Sequence, residues 1–189
     1  MPNPKQNPGL SGLTRRSYAS TSGSAYSWSY DSSTLTASNR RELVSGMQSG
    51  GHVTRTLLIP TKHSDLLLIS RGSNGNLDMA TTEISSGRSM IKVFNLTSIP
   101  GGDPVDYTRD GVVLGWGLRN SVGLAANPSD GGIWSVENSA DQIQRGGYDI
   151  HKDDPGEELN YHGKLSDVGE RGPNYGYVCS HILVACSVR

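Results

Sequence analysis

The chain has 189 residues, 34% hydrophobic but only 6% aromatic, and its 17 lysines and arginines against 18 acids leave a formal net charge of -1. That balance supplies no broad positive field, which argues against nucleic acid or an anionic membrane as the main partner, and no stretch approaches the roughly 20 apolar residues of a membrane-spanning helix. The length suits one ordinary domain with a thin stock of large core residues.

Residues 1–16, MPNPKQNPGLSGLTRR, read as a disordered N-terminal segment of proline, polar and basic residues, with no export signal as written. In AYSWSYD, Ala25 to Asp31, aromatic residues alternate with serines, the period-2 pattern of a strand that buries one face. Further strands are expected at His52 to Ile59, Asp65 to Ser70, Met90 to Leu96, Gly111 to Leu118 and Gly132 to Asn138, separated by the turn-forming clusters PTKHSD, RGSNGN, IPGGDP and NPSDGG. No long segment has helical periodicity. LLIPTKHSDLLLISRGSNGN and GLAANPSDGGIWSVENSADQ both read as strand, proline turn, strand, polar loop, with Pro60 and Pro128 at equivalent places. Many short strands, Gly-rich turns and an imperfect repeat favour a β-propeller or a sandwich. In a propeller the loops at one end of the blades converge on a central axis, where residues distant in sequence can meet one ligand.

Three segments carry candidate chemistry. His52 follows Gly50 and Gly51, which permit close backbone approach; it suits a proton acceptor near neutral pH, or equally a strand-end histidine satisfied locally. In a regular strand Arg55 would face away from it. Within GWGLRNSVGLA, Arg119 and Asn120 sit among small and apolar residues, and an arginine at the edge of a buried strand requires an anionic partner. That partner is either an internal acid such as Glu137 or something bound. ENSADQ reads by itself as a polar inter-strand turn. In DDPGEELNYHG, Asp153 and Asp154 suit a solvated loop, while Glu158 and Asn160 suit hydrogen bonds between blades. Cys179 and Cys186 lie too near the end to tie down the body of the chain, and the sequon Asn95-Leu96-Thr97 is a glycan acceptor only in an exported protein.

In order along the chain, GGHVTRTLLIPTKHSDLLLISRGSNGNLD, GRSMIKVFNL, GWGLRNSVGLA, IWSVENSADQI and GEELNYHG closely resemble the fungal pyrroloquinoline-quinone-dependent pyranose dehydrogenases, relatives of the soluble quinoprotein glucose and sorbosone dehydrogenases. The resemblance runs from about Ser17 to Tyr177. It implies an all-β fold, an incomplete six-bladed β-propeller over residues 17–177, with pyrroloquinoline quinone and calcium over the central channel. It further implies a sugar substrate, an electron acceptor such as a cytochrome domain or protein, and an extracellular setting. Under the same resemblance Arg119 and Asn120 bind the carboxylates of the cofactor. His52 falls on the catalytic histidine, which removes the sugar hydroxyl proton while hydride passes to the quinone. Ser139 and Ala140, through backbone carbonyls, and Asp141 fall where calcium is held.

Some bacterial relatives support the histidine with an aspartate. Here the loop RGSNGNLD offers Ser73 and Asn74 nearest, with Asp78 further along, so the partner of His52 stays open. The family proteins are roughly twice as long, and residues 178–189, VCSHILVACSVR, have no place in the pattern; they read as a foreign tail of the kind an unspliced intron adds, or as a genuine short isoform. A chain without the later blades is expected to expose sheet edges and to bind the quinone weakly. Two other readings stay open: a non-catalytic propeller fragment that binds carbohydrate, contacts a partner or has no function, and a sugar-lactone hydrolase on the same architecture.

Overall fold

The computed structural model describes residues 15–150, 157–167, 169 and 172–177. The expectations for the first fourteen residues, for Asp153 and Asp154, and for the tail with Cys179 and Cys186 fall outside the described residues.

The first sheet is an antiparallel meander of β1 (Arg15–Ser20), β2 (Ala25–Asp31) and β3 (Thr36–Ser45). A second holds β4 (Leu57–Leu58), β5 (Leu66–Arg71) and β6 (Met90–Asn95) and, after the short β7 (Val105–Asp106), ends with β8 (Val112–Trp116). The third is built from β9 (Ser121–Ala126), β10 (Gly132–Glu137) and, beyond the ribbon β11 (Gln144–Arg145) and β12 (Tyr148–Asp149), β13 (Glu158–Lys164). Strand β7 leaves the second sheet to pair in parallel with β3 of the first, which ties the two together. The first strands of the three sheets, β1, β4 and β9, lie side by side. This is an arc of consecutive propeller blades, all-β as the strand pattern anticipates, with 3-10 turns as the only helical elements among the described residues.

Inter-blade packing explains the continuous apolar run DLLLIS. Leu67 and Ile69 of β5 point into a core shared with Ala25, Leu43 and Val44 of the first sheet, while Leu68 points the other way, into a core with Leu114, Leu118 and Ile133. A strand covered on both faces has no polar face to alternate with. Tyr107, fully buried, ties the first of these cores to the backbone through hydroxyl hydrogen bonds to the carbonyls of Met90 (3.0 Å) and Ile69 (3.2 Å).

The structure differs from the sequence reading in three places. Arg15 and Arg16, expected in the disordered N-terminal segment, instead open β1, paired with Tyr30 and Ser29. Strand β2 has the expected bounds, but Ala25 and Ser27 face the core, whereas Tyr26, Trp28 and Tyr30 are only half-buried, with the Arg40 guanidinium over the Tyr26 ring at 4.3 Å. Closely apposed blades accommodate small residues on the shared face and push the large rings to the other. The expected strand over His52 to Ile59 shrinks to Leu57–Leu58, because residues 46–56 form a loop that Arg55 gathers around itself. Its guanidinium donates to the carbonyls of Met47 (2.6 Å), His52 (2.7 Å) and Thr54 (2.8 Å) and to the Ser49 hydroxyl (2.8 Å). So Arg55 does not face away from His52. It is buried and holds the backbone that presents the imidazole, and its burial lowers its own pKa to about 10.

Candidate functional site

Four loops meet at one end of the blades: 46–56 before β4, 72–89 after β5, 117–120 before β9 and the segment following β10. The meeting is close. The His52 N–H donates to the carbonyl of Ser73 (3.1 Å), and the Ser73 N–H donates to the carbonyl of Arg119 (2.8 Å). A Cβ on Gly72 would lie 2.7 Å from both the Cβ of His52 and the Oδ1 of Asn120, so only glycine lets these loops touch. We expect Gly72→Ala to force them apart at a cost of about 1–3 kcal/mol, read as a shift in the denaturant midpoint at constant slope.

His52 is half-buried and its Nδ1 lies 2.9 Å from the Ser73 hydroxyl and 3.2 Å from the Ser73 carbonyl. The single hydroxyl proton of Ser73 is already donated to the carbonyl of Gly75 at 2.6 Å, so toward the imidazole Ser73 can only accept. Nδ1 therefore carries the proton, and Nε2, with no partner among the described residues, keeps its lone pair free. Burial, the Arg119 charge and the Arg55 charge lower the His52 pKa below the ordinary 6.5, against the opposing pull of the Ser73 carbonyl. The open question of its partner is thus answered by Ser73. Asp78 is engaged elsewhere, in an ion pair with Arg88 (2.9 Å) and in accepting the Asn74 N–H (2.7 Å).

Arg119 is half-buried and has no carboxylate in ion-pair range among the described residues. Its Nε donates to the Asn76 carbonyl (3.1 Å), and its two terminal nitrogens donate to the Asn138 carbonyl (3.2 Å) and Asn76 Oδ1 (2.8 Å). One N–H on each terminal nitrogen is left without a protein acceptor among the described residues. The internal-acid alternative for Arg119 does not form: Glu137 Oε2 instead accepts the backbone N–H of Asn120 at 3.1 Å. Buried Asn120 also donates from Nδ2 toward Asn138 Oδ1 at 3.4 Å.

Burial pushes the Glu137 carboxyl up to about 7, against the pull of the Asn120 N–H and the Arg119 charge. An acid raised in the folded state holds its proton longer when folded, so stability falls as pH rises from the ordinary 4.5 through about 7. Glu137→Gln should therefore melt above the parent at pH 8 and converge with it near pH 4, a difference that thermal scans at the two pH values detect.

Beyond β10, residues 139–141 follow the third blade into the same region. The carbonyls of Ser139 and Ala140 accept no hydrogen bond from the described residues, whereas the backbone of Asp141 exchanges two with the Asn76 side chain, at 2.5 and 2.8 Å. The carboxylate of Asp141 accepts the Gln142 N–H through Oδ1 alone. No group of three or more His, Cys, Asp or Glu side chains suited to a metal converges among the described residues, so a cation here would draw mainly on carbonyls. Asn76, Gly72, Asn138 and Arg55 are structural members of the site that sequence reading does not pick out. Gly72 and Asn76 lie in the loop RGSNGNLD already under consideration for His52, and Asn138 lies in the ENSADQ turn, but nothing in those stretches singles them out.

Residues 8–184 match the TrAA12-like family. The chain belongs to that family. Among proteins similar to this TrAA12-like chain, a pyrroloquinoline quinone-dependent sugar dehydrogenase of Hypocrea jecorina is 45% identical over 162 residues, which cover 85% of this chain and 38% of that protein. A pyrroloquinoline quinone-dependent pyranose dehydrogenase of Coprinopsis cinerea is 42% identical over 149 residues, 77% of this chain and 20% of that protein. The calcium structure of a Trichoderma reesei carbohydrate-active enzyme of family AA12 superposes with a TM-score of 0.79 at 45% identity, covering 85% of this chain and 40% of that one. The holo form of the pyranose dehydrogenase PQQ domain from Coprinopsis cinerea gives 0.77 at 41% identity, covering 82% and 39%. The TrAA12-like chain thus spans less than half the length of these relatives. A glucose dehydrogenase structure at 19% identity, with a TM-score of 0.57, shares the fold.

Proposed function

We propose that this chain is part of a sugar dehydrogenase that uses pyrroloquinoline quinone and calcium, with the strands from Arg15 onward as its share of the propeller. The observation that carries this reading is the joining of a base and an anion anchor by one residue. Ser73 fixes the tautomer of His52 through its side chain and carbonyl, and its N–H binds the carbonyl of Arg119.

The residues present fit the cofactor. Arg119 is held in a fork by neutral oxygens while two of its N–H groups remain available, which suits charge-assisted hydrogen bonds to the carboxylates of the quinone, with Asn120 beside it. The carbonyls of Ser139 and Ala140, with the Asp141 carboxylate, suit a hard cation. When bound, the quinone supplies a two-electron acceptor for hydride from a sugar carbinol carbon. His52 Nε2 takes the hydroxyl proton of that carbinol as the C–H bond breaks, leaving a carbonyl product and an imidazolium. Partial burial and the Arg119 and Arg55 charges disfavour that imidazolium and favour the neutral base. A redox partner such as a cytochrome domain would be the final electron acceptor.

Dye reduction by the purified protein with calcium, the quinone and a series of pyranoses tests this reading. Turnover that requires all three supports it. Quinone-independent lactone hydrolysis, or carbohydrate binding with no dye reduction, replaces it with one of the other two readings.

A further inference from the structure

We infer that Asn76 is a positioning residue that couples the cofactor arginine to the calcium loop, so that the two ligand sites are set by a single amide side chain. The inference rests on the reading under Proposed function and goes beyond it in assigning a residue that touches neither ligand. Asn76 Oδ1 accepts from the Arg119 terminal nitrogen and from the Asp141 N–H, both at 2.8 Å, and its Nδ2 donates to the Asp141 carbonyl at 2.5 Å. Its amide thus pairs with the Asp141 backbone as a neighbouring strand would. Its own carbonyl takes Arg119 Nε at 3.1 Å and the Tyr177 hydroxyl at 2.8 Å, and the Asp78 N–H donates to that same hydroxyl at 3.0 Å. The residue is therefore braced from behind by a side chain about a hundred positions away in sequence.

Two consequences follow from donor and acceptor counting. Pairing commits one lone pair of the Asp141 carbonyl and holds that residue in place, whereas the Ser139 and Ala140 carbonyls just before it accept nothing from the described residues. The same amide oxygen holds Arg119, so moving the arginine loosens one of the two contacts that seat Asp141. Supporting partners of this kind typically change metal affinity by roughly 10-fold or more.

The test is calcium affinity in the absence of quinone, by isothermal titration of the full chain, with quinone affinity measured separately by spectral titration in excess calcium. Asn76→Ala should weaken both, calcium by roughly 10-fold. Arg119→Lys keeps the charge but cannot reach both the carbonyl and Oδ1 of Asn76 as a fork does. It should weaken calcium binding by about 5-fold although no quinone is present, and should add nothing in the Asn76→Ala background. Circular dichroism and melting of each variant register whether the fold is kept, and Arg119→Lys retains the readout should Asn76→Ala fail to fold. If Arg119→Lys lowers quinone affinity but leaves calcium affinity at the parent value, the coupling is wrong and the functional reading stands. If the parent binds neither ligand, the functional reading falls and the coupling with it.

Discussion

Replacing His52 with alanine should lower kcat for sugar oxidation by about 100- to 10,000-fold while leaving quinone and calcium affinity near the parent values. The reason lies in the tautomer. Ser73 can only accept from Nδ1, so Nε2 carries the sole lone pair of the ring and has no partner among the described residues, while Arg55 clasps the loop behind it. An alanine removes the proton acceptor but not the Ser73 to Arg119 backbone link that joins the loops. Steady-state dye reduction with and without exogenous imidazole measures the loss. Equal rates in variant and parent would remove His52 from the chemistry.

Arg119→Ala should have two effects separable by pH. Loss of a charge-assisted anchor for a carboxylate is expected to weaken quinone binding by about 10- to 100-fold, the equivalent of one strong hydrogen bond to a charged group. It also removes a cation that holds the His52 pKa down. A base must be neutral to act, so the rate rises with pH through its pKa. In the parent the acid limb of kcat/KM should lie below pH 6.5, and in the variant, at saturating quinone, it should move up toward that ordinary value. A weakened quinone affinity with an unmoved acid limb would mean that the arginine and the imidazole do not share a field.

The strand pattern of the blades was readable because both kinds of burial leave a mark: alternation in AYSWSYD and a continuous apolar run in DLLLIS. Which face of AYSWSYD turns inward was not, since the choice depends on how closely the neighbouring blade approaches, and that distance favours Ala25 and Ser27 over the rings. Resemblance located His52 and Arg119, but composition and spacing gave no means of knowing that they meet. Their meeting depends on backbone bonds from Ser73 and on the absent side chain of Gly72, neither of which has a sequence signature beyond a polar, glycine-containing loop. Arg55 was misread for a similar reason. A regular strand would have turned it away, and only the loop shows that its donors serve the carbonyls around His52. Backbone ligands such as those proposed at Ser139 and Ala140 are the least legible of all, because a carbonyl is common to every residue.

A crystal structure of the protein soaked with calcium and pyrroloquinoline quinone tests the convergence of base and anchor most directly. The expected density places a quinone carboxylate on the free N–H groups of Arg119, calcium on the Ser139 and Ala140 carbonyls, and the ring system beside His52 Nε2 with room for a sugar hydroxyl between them. Quinone bound with no contact to Arg119, or with His52 turned to a separate surface, would contradict it.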